Sequence, residues 1–163
     1  MTTDSTLTKR YLIVCTGNFC RSQMAEGWMR QLGKERVEVF SAGSKPKGGV
    51  HPMAVEVMKE RGIDMTQNTS NHIDEYINED FDCVLTVCDS AKEACPVLPG
   101  AKRVLHHSFE DPDHPNDPNE DVATCFRRVR DQIGDWVEGF LAAELTGFAI
   151  GNENGDHRQA FAE

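Results

Sequence analysis

The chain is short of positive charge, of long apolar stretches and of closely paired cysteines, and each shortage narrows what it can do. Its 17 Lys and Arg residues face 27 Asp and Glu, a formal net charge of −10. A nucleic-acid binder needs a basic face, so this balance argues against nucleic acid as a partner. No apolar run approaches the roughly 18 residues of a membrane span, so no membrane contact is expected. The opening Met1-Thr2-Thr3-Asp4-Ser5-Thr6-Leu7-Thr8-Lys9-Arg10 has no apolar core of the signal-peptide kind, and a cytoplasmic location is expected. The six cysteines (Cys15, Cys20, Cys83, Cys88, Cys95, Cys125) include no close C-x-x-C pair. The nearby His106, His107 and His114 lack zinc-ligand spacing, so no metal is assigned. Structural disulfides are rare in the cytosol, which leaves redox catalysis as the better use of these thiols.

What is present is an ordinary globular composition. With 163 residues, 39% hydrophobic and 27% charged, the chain is one domain with a real core, and no internal repeat is visible. The acidic balance does not exclude a small anionic substrate. A local ring of N–H dipoles and one arginine outweighs distant, screened carboxylates.

Strands and helices alternate along the sequence. Tyr11 to Cys15, Val37 to Ala42, Asp82 to Val87 and Arg103 to His106 are short apolar runs of strand length. Ser22 to Leu32 carries Met24, Ala25, Trp28, Met29 and Leu32 at helical spacing and stops at Gly33. Pro52 opens a second helix through Met53, Val57 and Met58, closed by Gly62. Asp117-Pro118-Asn119-Glu120 reads as a capping box with proline at the first helical position. It introduces a long helix that buries Val122, Phe126, Val129, Ile133, Trp136, Val137, Phe140 and Leu141, with Cys125 and Trp136 as core. The fold expected is α/β, a single flavodoxin-like open parallel sheet of four strands in the order 2-1-3-4 with helices on both faces. The domain is expected over residues 10–146, between a tail at 1–9 and a mobile, aperiodic tail at 147–163.

In that fold ligands bind at the strands' carboxyl ends, beside the switch point between strands one and three. The loop leaving the first strand there is Cys15-Thr16-Gly17-Asn18-Phe19-Cys20-Arg21-Ser22. Such a loop can wrap a tetrahedral oxyanion: its backbone N–H groups point inward, Arg21 offers a two-pronged donor, and a helix N-terminus lies behind. The same field is expected to lower the Cys15 thiol from about 8.5 into the range of roughly 3.5–7.5. Substrate contacts are expected from Thr16, Gly17, Asn18, Phe19, Cys20, Arg21 and Ser22. Ser22 is expected to hydrogen-bond the Cys15 thiolate and to cap the helix. Asn18 is expected to satisfy backbone groups where the loop turns tightly. Cys20 reads as a packing residue and Cys83 as structural.

Residues Cys15 to Arg21 resemble the active-site loop of low-molecular-weight protein tyrosine phosphatases and of the arsenate reductases built on the same fold. Ser22-Gln23-Met24-Ala25-Glu26-Gly27-Trp28 is similar to the reductase branch, since the phosphatases usually have proline where Gln23 stands. Val87-Cys88-Asp89-Ser90-Ala91-Lys92-Glu93-Ala94-Cys95-Pro96 resembles the redox cassette of thioredoxin-coupled arsenate reductases. Phe109-Glu110-Asp111-Pro112 matches the Asp-Pro loop of both branches, without the tyrosines that line many phosphotyrosine clefts. The resemblance implies that Cys15 attacks arsenate, Asp111 protonates the departing oxygen, Cys88 attacks Cys15, and Cys95 then attacks Cys88. Thioredoxin as electron donor would clear the last disulfide, and no organic cofactor is implied. Some relatives bind potassium near residues matching Asn18, Glu26, Ser41 and Thr69; Asn71 stands where an acid is expected in that site, which argues against a cation.

The proposed order has physical support. If strands one and three are neighbours, Cys15 and Cys88 lie about 5 Å apart across the sheet, inside the roughly 4.4–6.8 Å Cα separation of a disulfide. Were Asp89 to Ala94 helical, Cys88 and Cys95 would stand about 10 Å apart, so bonding them would require that segment to unwind. Two other functions compete: a tyrosine phosphatase with redox-protective cysteines, and a non-enzymatic oxyanion- or redox-sensing module.

Overall fold

The computed structural model describes residues 8–89, 95, 96 and 98–146. The elements run β1 (Lys9–Val14), α1 (Arg21–Gly33), β2 (Val37–Ala42), α2 (Pro52–Lys59), β3 (Cys83–Thr86), β4 (Val104–His106) and α3 (Val122–Thr146), with 3-10 turns at Lys34–Arg36 and Ile73–Tyr76. The sheet order is β2-β1-β3-β4 and every pairing is parallel, as the alternating pattern predicts. The terminal residues 1–7 and 147–163 lie outside the described residues, as does the 90–94 segment whose unwinding the sequence invoked.

β1 is central and carries the core: Tyr11, Leu12, Ile13 and Val14 are all buried. β2 shows the period of a half-covered strand, with Val37 and Val39 buried and Glu38 exposed. Val37 and Val39 face α1, where Gly33 lies so close to Val37 that a Cβ there would meet its methyls at 2.6 and 2.8 Å. On the other face Phe40 meets Tyr76 at 5.5 Å and Phe81 at 6.0 Å between ring centroids. Trp136 stacks on Phe140 and His107, a core role of the kind its spacing predicts. The Tyr11 hydroxyl donates to the buried Glu144 carboxylate at 2.9 Å, which also receives Arg103 at 2.6 Å. With the edge-on packing of Tyr11 against Phe140 at 5.5 Å, this bond ties the central strand to the end of α3.

The start of the long helix differs from the sequence reading, and Val122, expected in its buried stripe, is exposed there. The long helix begins at Val122, not at Pro118, and Asp121 rather than Asp117 is its cap. Asp121 accepts from Thr124 N–H at 2.7 Å, while Asp117 closes a local turn by accepting from Asn119 N–H at 2.9 Å. Glu120, expected as the acid of a capping box, instead reaches forward to Arg128 at 2.7 Å. An arginine at that distance gives Glu120 a charged donor, stronger than a backbone amide.

Candidate active site

Parallel register sets the first contact. Val14 pairs with Thr86 across β1 and β3, so the residues just beyond both strand ends, Cys15 and Cys88, emerge side by side. Their sulfurs stand 3.3 Å apart, and Thr16 N–H donates to Cys88 Sγ at 3.4 Å. All six cysteines are thiols.

The loop from Cys15 to Cys20 is held from outside by its carbonyls. Thr16 and Gly17 carbonyls accept from Lys45 and Lys47 N–H at 2.9 and 3.0 Å, and the Phe19 carbonyl accepts from His51 N–H at 2.9 Å. The Asn18 carbonyl accepts from Gln23 Nε2 at 3.0 Å and Ser70 Oγ at 3.2 Å. With the carbonyls turned outward, the intervening N–H groups are turned toward the cleft, as an anion cradle requires. Two local features permit this course. Asn18 adopts a left-handed φ of 47°, which Asn tolerates better than most residues. Gly43 passes so close that a Cβ would meet the Thr16 carbonyl oxygen and, at 2.7 Å, that of Cys15.

The buried Asn18 side chain is the hub behind the loop. Its Nδ2 donates to Ser22 Oγ at 2.8 Å and Ser41 Oγ at 2.9 Å, and its Oδ1 accepts from Asn71 N–H at 2.8 Å. The expectation for Asn18 as loop stabiliser agrees with this network; the expectation for Ser22 does not. Ser22 lies inside α1, whose cap position is Cys20, and its Oγ accepts from Asn18 Nδ2. The side chains of Asn18 and Ser22 therefore support the cradle from behind instead of lining it. Gln23 is fully buried and clamps Asn18, Thr69 and Asn68 together, a task proline could not perform.

In front of the loop lies a cleft of about 750 Å³ that brings together Cys15, Thr16, Gly17, Phe19, Cys20, Arg21, Cys88 and Asp111. Arg21 Nη1 donates to the Phe109 carbonyl at 2.9 Å and Nη2 lies 3.9 Å from Asp111 Oδ2, while its buried Nε has no partner. A buried guanidinium donor without an acceptor is costly in water-poor surroundings, and one at the wall of this cleft points to an anionic ligand. Sequence reasoning missed Lys45, Lys47, His51, Asp113 and His114. Lys45, Lys47, Asp113 and His114 line the cleft rim, but they come from loops whose approach only the fold fixes.

The ionisation pattern reverses the expected one. The contact with Cys88 and burial push the Cys15 thiol up, with Arg21 opposing, so the lowered thiol inferred from the loop is not what this arrangement gives. Cys15 donates its S–H to Cys88 sulfur, and a hydrogen bond made by the neutral thiol disfavours the thiolate. Asp111 moves the other way. Burial would raise it, but Asp113 N–H, His114 and Arg21 outweigh burial and hold it below the usual aspartate range. The arrangement thus favours the protonated form of Cys15 and the ionised form of Asp111. In the protein without oxyanion, alkylation of Cys15 by iodoacetamide, followed by mass mapping, should still be accelerating with pH above the ordinary thiol value of about 8.5. A rate already at its plateau at neutral pH would show a lowered thiol instead.

Cys20 is buried and its thiol is pushed up to about 12, by burial and then by Asp111. Cys83 is fully buried, donates to the Val84 carbonyl and is likewise pushed up to about 12 by burial. Cys95 is half-buried on a separate groove of about 510 Å³ with Leu98, Val104 and His106. A metal-ligand type of cluster occurs at Glu110, Glu120 and Cys125. Arg128 already sits in it, donating to both carboxylates at 2.8 and 2.7 Å and reaching Cys125 Sγ at 3.4 Å. Glu26, in the possible potassium position, is paired with Arg30 and accepts from Ser41 Oγ at 2.6 Å. No helix among the described residues is long and apolar enough to cross a membrane.

Comparison with known proteins follows this geometry. An arsenate reductase of Halalkalibacterium halodurans is 43% identical over 127 residues, covering 78% of this chain and 91% of that protein. An arsenate reductase of Bacillus subtilis is 42% identical over the same length and shares. The solved structure of an arsenate reductase in the phosphate-binding state superposes with a TM-score of 0.71 at 34% identity, covering 83% of this chain and 98% of that one. The family profile of low molecular weight phosphotyrosine protein phosphatases matches residues 10–147, from β1 to the end of α3 and across both loops of the cleft. On that span and those identities, the chain belongs to the low molecular weight phosphotyrosine protein phosphatase family.

Proposed function

We propose that the protein is an arsenate reductase that spends two of its own thiols per arsenate and is regenerated by thioredoxin. The observation that carries this reading is the 3.3 Å approach of Cys15 and Cys88 sulfurs at the floor of an oxyanion cleft. A phosphatase needs the first thiol alone. The named activity of the relatives above supports the substrate, and the half-buried Cys95 seven residues beyond Cys88 supports the relay.

The chemistry balances as follows. Arsenate, held by the loop N–H groups and Arg21, is attacked by Cys15 sulfur; an S–As bond forms and one As–O bond breaks, the oxygen leaving as water. Cys88 sulfur then attacks Cys15 sulfur. The S–As electron pair passes to arsenic, which leaves as arsenite in the trivalent state, and a Cys15–Cys88 disulfide remains. In neutral forms, arsenic acid and two thiols become arsenous acid, one disulfide and one water. Asp111 receives the Cys15 proton and delivers it to the departing oxygen. A thiol with a carboxylate carries the same proton count as a thiolate with a protonated acid, so the reversed resting state costs the reaction no proton. Cys95 next attacks Cys88, freeing Cys15, and reduced thioredoxin attacks the Cys88–Cys95 bond.

Steady-state assays of Cys88→Ser test this reading against the phosphatase one. With arsenate and reduced thioredoxin, turnover should fall to background, a loss on the order of 10³-fold or more as for removal of a catalytic group. Hydrolysis of an aryl phosphate should be retained or rise, because that reaction needs only Cys15, Arg21 and Asp111 and the variant removes the neighbour that pushes the Cys15 thiol up. Arsenate turnover that survives Cys88→Ser overturns the cascade.

A further inference from the structure

His51 stands outside every motif of the sequence, yet it bonds to both loops of the cleft and to the start of α2. Its backbone N–H donates to the Phe19 carbonyl of the cradle at 2.9 Å. Its Nδ1 accepts from Met53 N–H at 3.1 Å, capping α2. Its Nε2 lies 3.0 Å from Asp113 Oδ1. The ring is wedged between Phe19 and Phe126, with centroids 5.0 and 4.8 Å away, and its side chain is only 17% exposed.

These contacts fix the tautomer. A backbone N–H can only donate, so Nδ1 presents its lone pair to Met53 and the ring proton sits on Nε2. The imidazole therefore donates to the Asp113 carboxylate while its other nitrogen holds a helix end. Asp113 in turn donates its backbone N–H to Asp111 Oδ1 at 3.0 Å, an Asx turn that sets the direction of the Asp111 carboxyl. A continuous chain of hydrogen bonds thus runs from the nucleophile loop through His51 and Asp113 to Asp111.

We propose that His51 is a positioning residue for Asp111, acting through the His51–Asp113 hydrogen bond to hold the proton-transfer carboxyl in place over the oxyanion cradle. This rests on the reading of Asp111 as the group that protonates the departing oxygen. Proton transfer demands hydrogen-bond reach to the oxygen concerned, so a carboxyl that swings away loses rate without losing substrate. His51 holds the cradle through its backbone N–H, which a side-chain substitution leaves in place, and this separates the two effects. The strap is a tie between two loops that are far apart in the chain, with 62 positions separating its ends.

The test is a double-mutant cycle on the full-length reduced protein, reading arsenite release in a single turnover and, separately, affinity for inorganic phosphate. His51→Asn keeps an acceptor for Met53 N–H but is too short to reach Asp113, so the helix cap is retained while the strap is cut. Asp113→Ala cuts it from the other side, and Asp113→Asn keeps the acceptor oxygen. His51→Asn and Asp113→Ala should each slow arsenite release roughly tenfold, the scale of a small misplacement of a reacting group, with phosphate affinity unchanged within about twofold. The double variant should be no slower than the slower single, since both cut one link. Asp113→Asn should recover most of the rate, and His51→Asn should cost nothing further in an Asp111→Asn background. Wild-type rate in His51→Asn with Asp111→Asn slow would overturn the strap alone. Additive losses, or a further loss in the Asp111→Asn background, would place the effect of His51 elsewhere. Wild-type rate in Asp111→Asn would remove the role of Asp111 and the strap with it.

Discussion

Cys15→Ser should bind oxyanion and release no arsenite. The loss expected in a single-turnover assay is on the order of 10⁴-fold or more, the scale seen when a covalent nucleophile is removed. Electron accounting makes the result sharper than a slow reaction. Serine oxygen can displace an oxygen from arsenic, but the second thiol has no sulfur at position 15 to attack. No disulfide forms, no electron pair reaches arsenic, and the ester returns to arsenate by exchange with water. Binding should persist, because the cradle depends on outward-bonded carbonyls of Thr16, Gly17 and Phe19 and on Arg21, none of which uses the Cys15 side chain. Calorimetry with inorganic phosphate should therefore show affinity within about threefold of wild type, a difference under 1 kcal/mol. Loss of both binding and chemistry would mean that Cys15 holds the loop itself, and arsenite release from Cys15→Ser would assign the nucleophile to another cysteine.

The order of the strands and the place of the nucleophile loop were readable in the sequence because both follow from local pattern. A buried run that ends in Cys15, a glycine-containing loop and a helix with apolar residues at helical spacing are consecutive in the chain, so their geometry needs no distant partner. Alternation of strand and helix then gives a parallel sheet, and the register of Val14 with Thr86 brings Cys15 to Cys88 as that sheet requires. What was not readable depends on approach between distant loops. Lys45 and Lys47 reach the cradle through their backbones, and His51 reaches Asp113 across 62 positions; no spacing rule encodes such meetings. The helix start was misplaced for a local reason. Glu120, read as the acid of a capping box, is held instead by Arg128, and Asp121 accepts from Thr124 N–H as the cap.

The ionisation of Cys15 is the more instructive failure. A cysteine before an anion-binding loop reads as a lowered thiol when only the loop and Arg21 are considered. The third strand brings Cys88 within 3.3 Å, and that neighbour together with burial dominates. In the proposed cascade, the same sulfur that disfavours the thiolate is the one that takes Cys15 into a disulfide. A phosphatase gains nothing from this neighbour, whereas a reductase needs it at bonding range immediately after arsenic is captured. The raised Cys15 thiol and the proposed redox step are thus two consequences of one contact.

Cys95→Ser should release close to one equivalent of arsenite per protein and then stall. Cys15 and Cys88 suffice for one reduction, so the first event should proceed at the wild-type rate within about twofold, consistent with Cys95 touching no reacting atom before the disulfide forms. The product is a Cys15–Cys88 disulfide at a site where both residues are only 4% exposed. Thiol–disulfide exchange requires the attacking thiolate to reach a sulfur in line, so access limits the rate as strongly as thiol acidity does. A protein reductant cannot enter the cleft, whereas Cys95 is half-buried on a groove of its own beside β4 and offers a sulfur nearer the surface. Passing the disulfide from Cys15 to Cys95 moves it from a floor to a face. Rapid-mixing measurements should show a near-stoichiometric burst followed by turnover slower by about 10²-fold or more, the scale on which loss of access limits exchange. Mass mapping of the stalled protein should find Cys15 joined to Cys88. A small, strong dithiol should restore slow cycling, since it can enter where thioredoxin cannot. Sustained wild-type turnover with thioredoxin would mean that the resolving thiol is another one, Cys20 at the cleft wall being the next to test, or that the first disulfide is itself open to the donor.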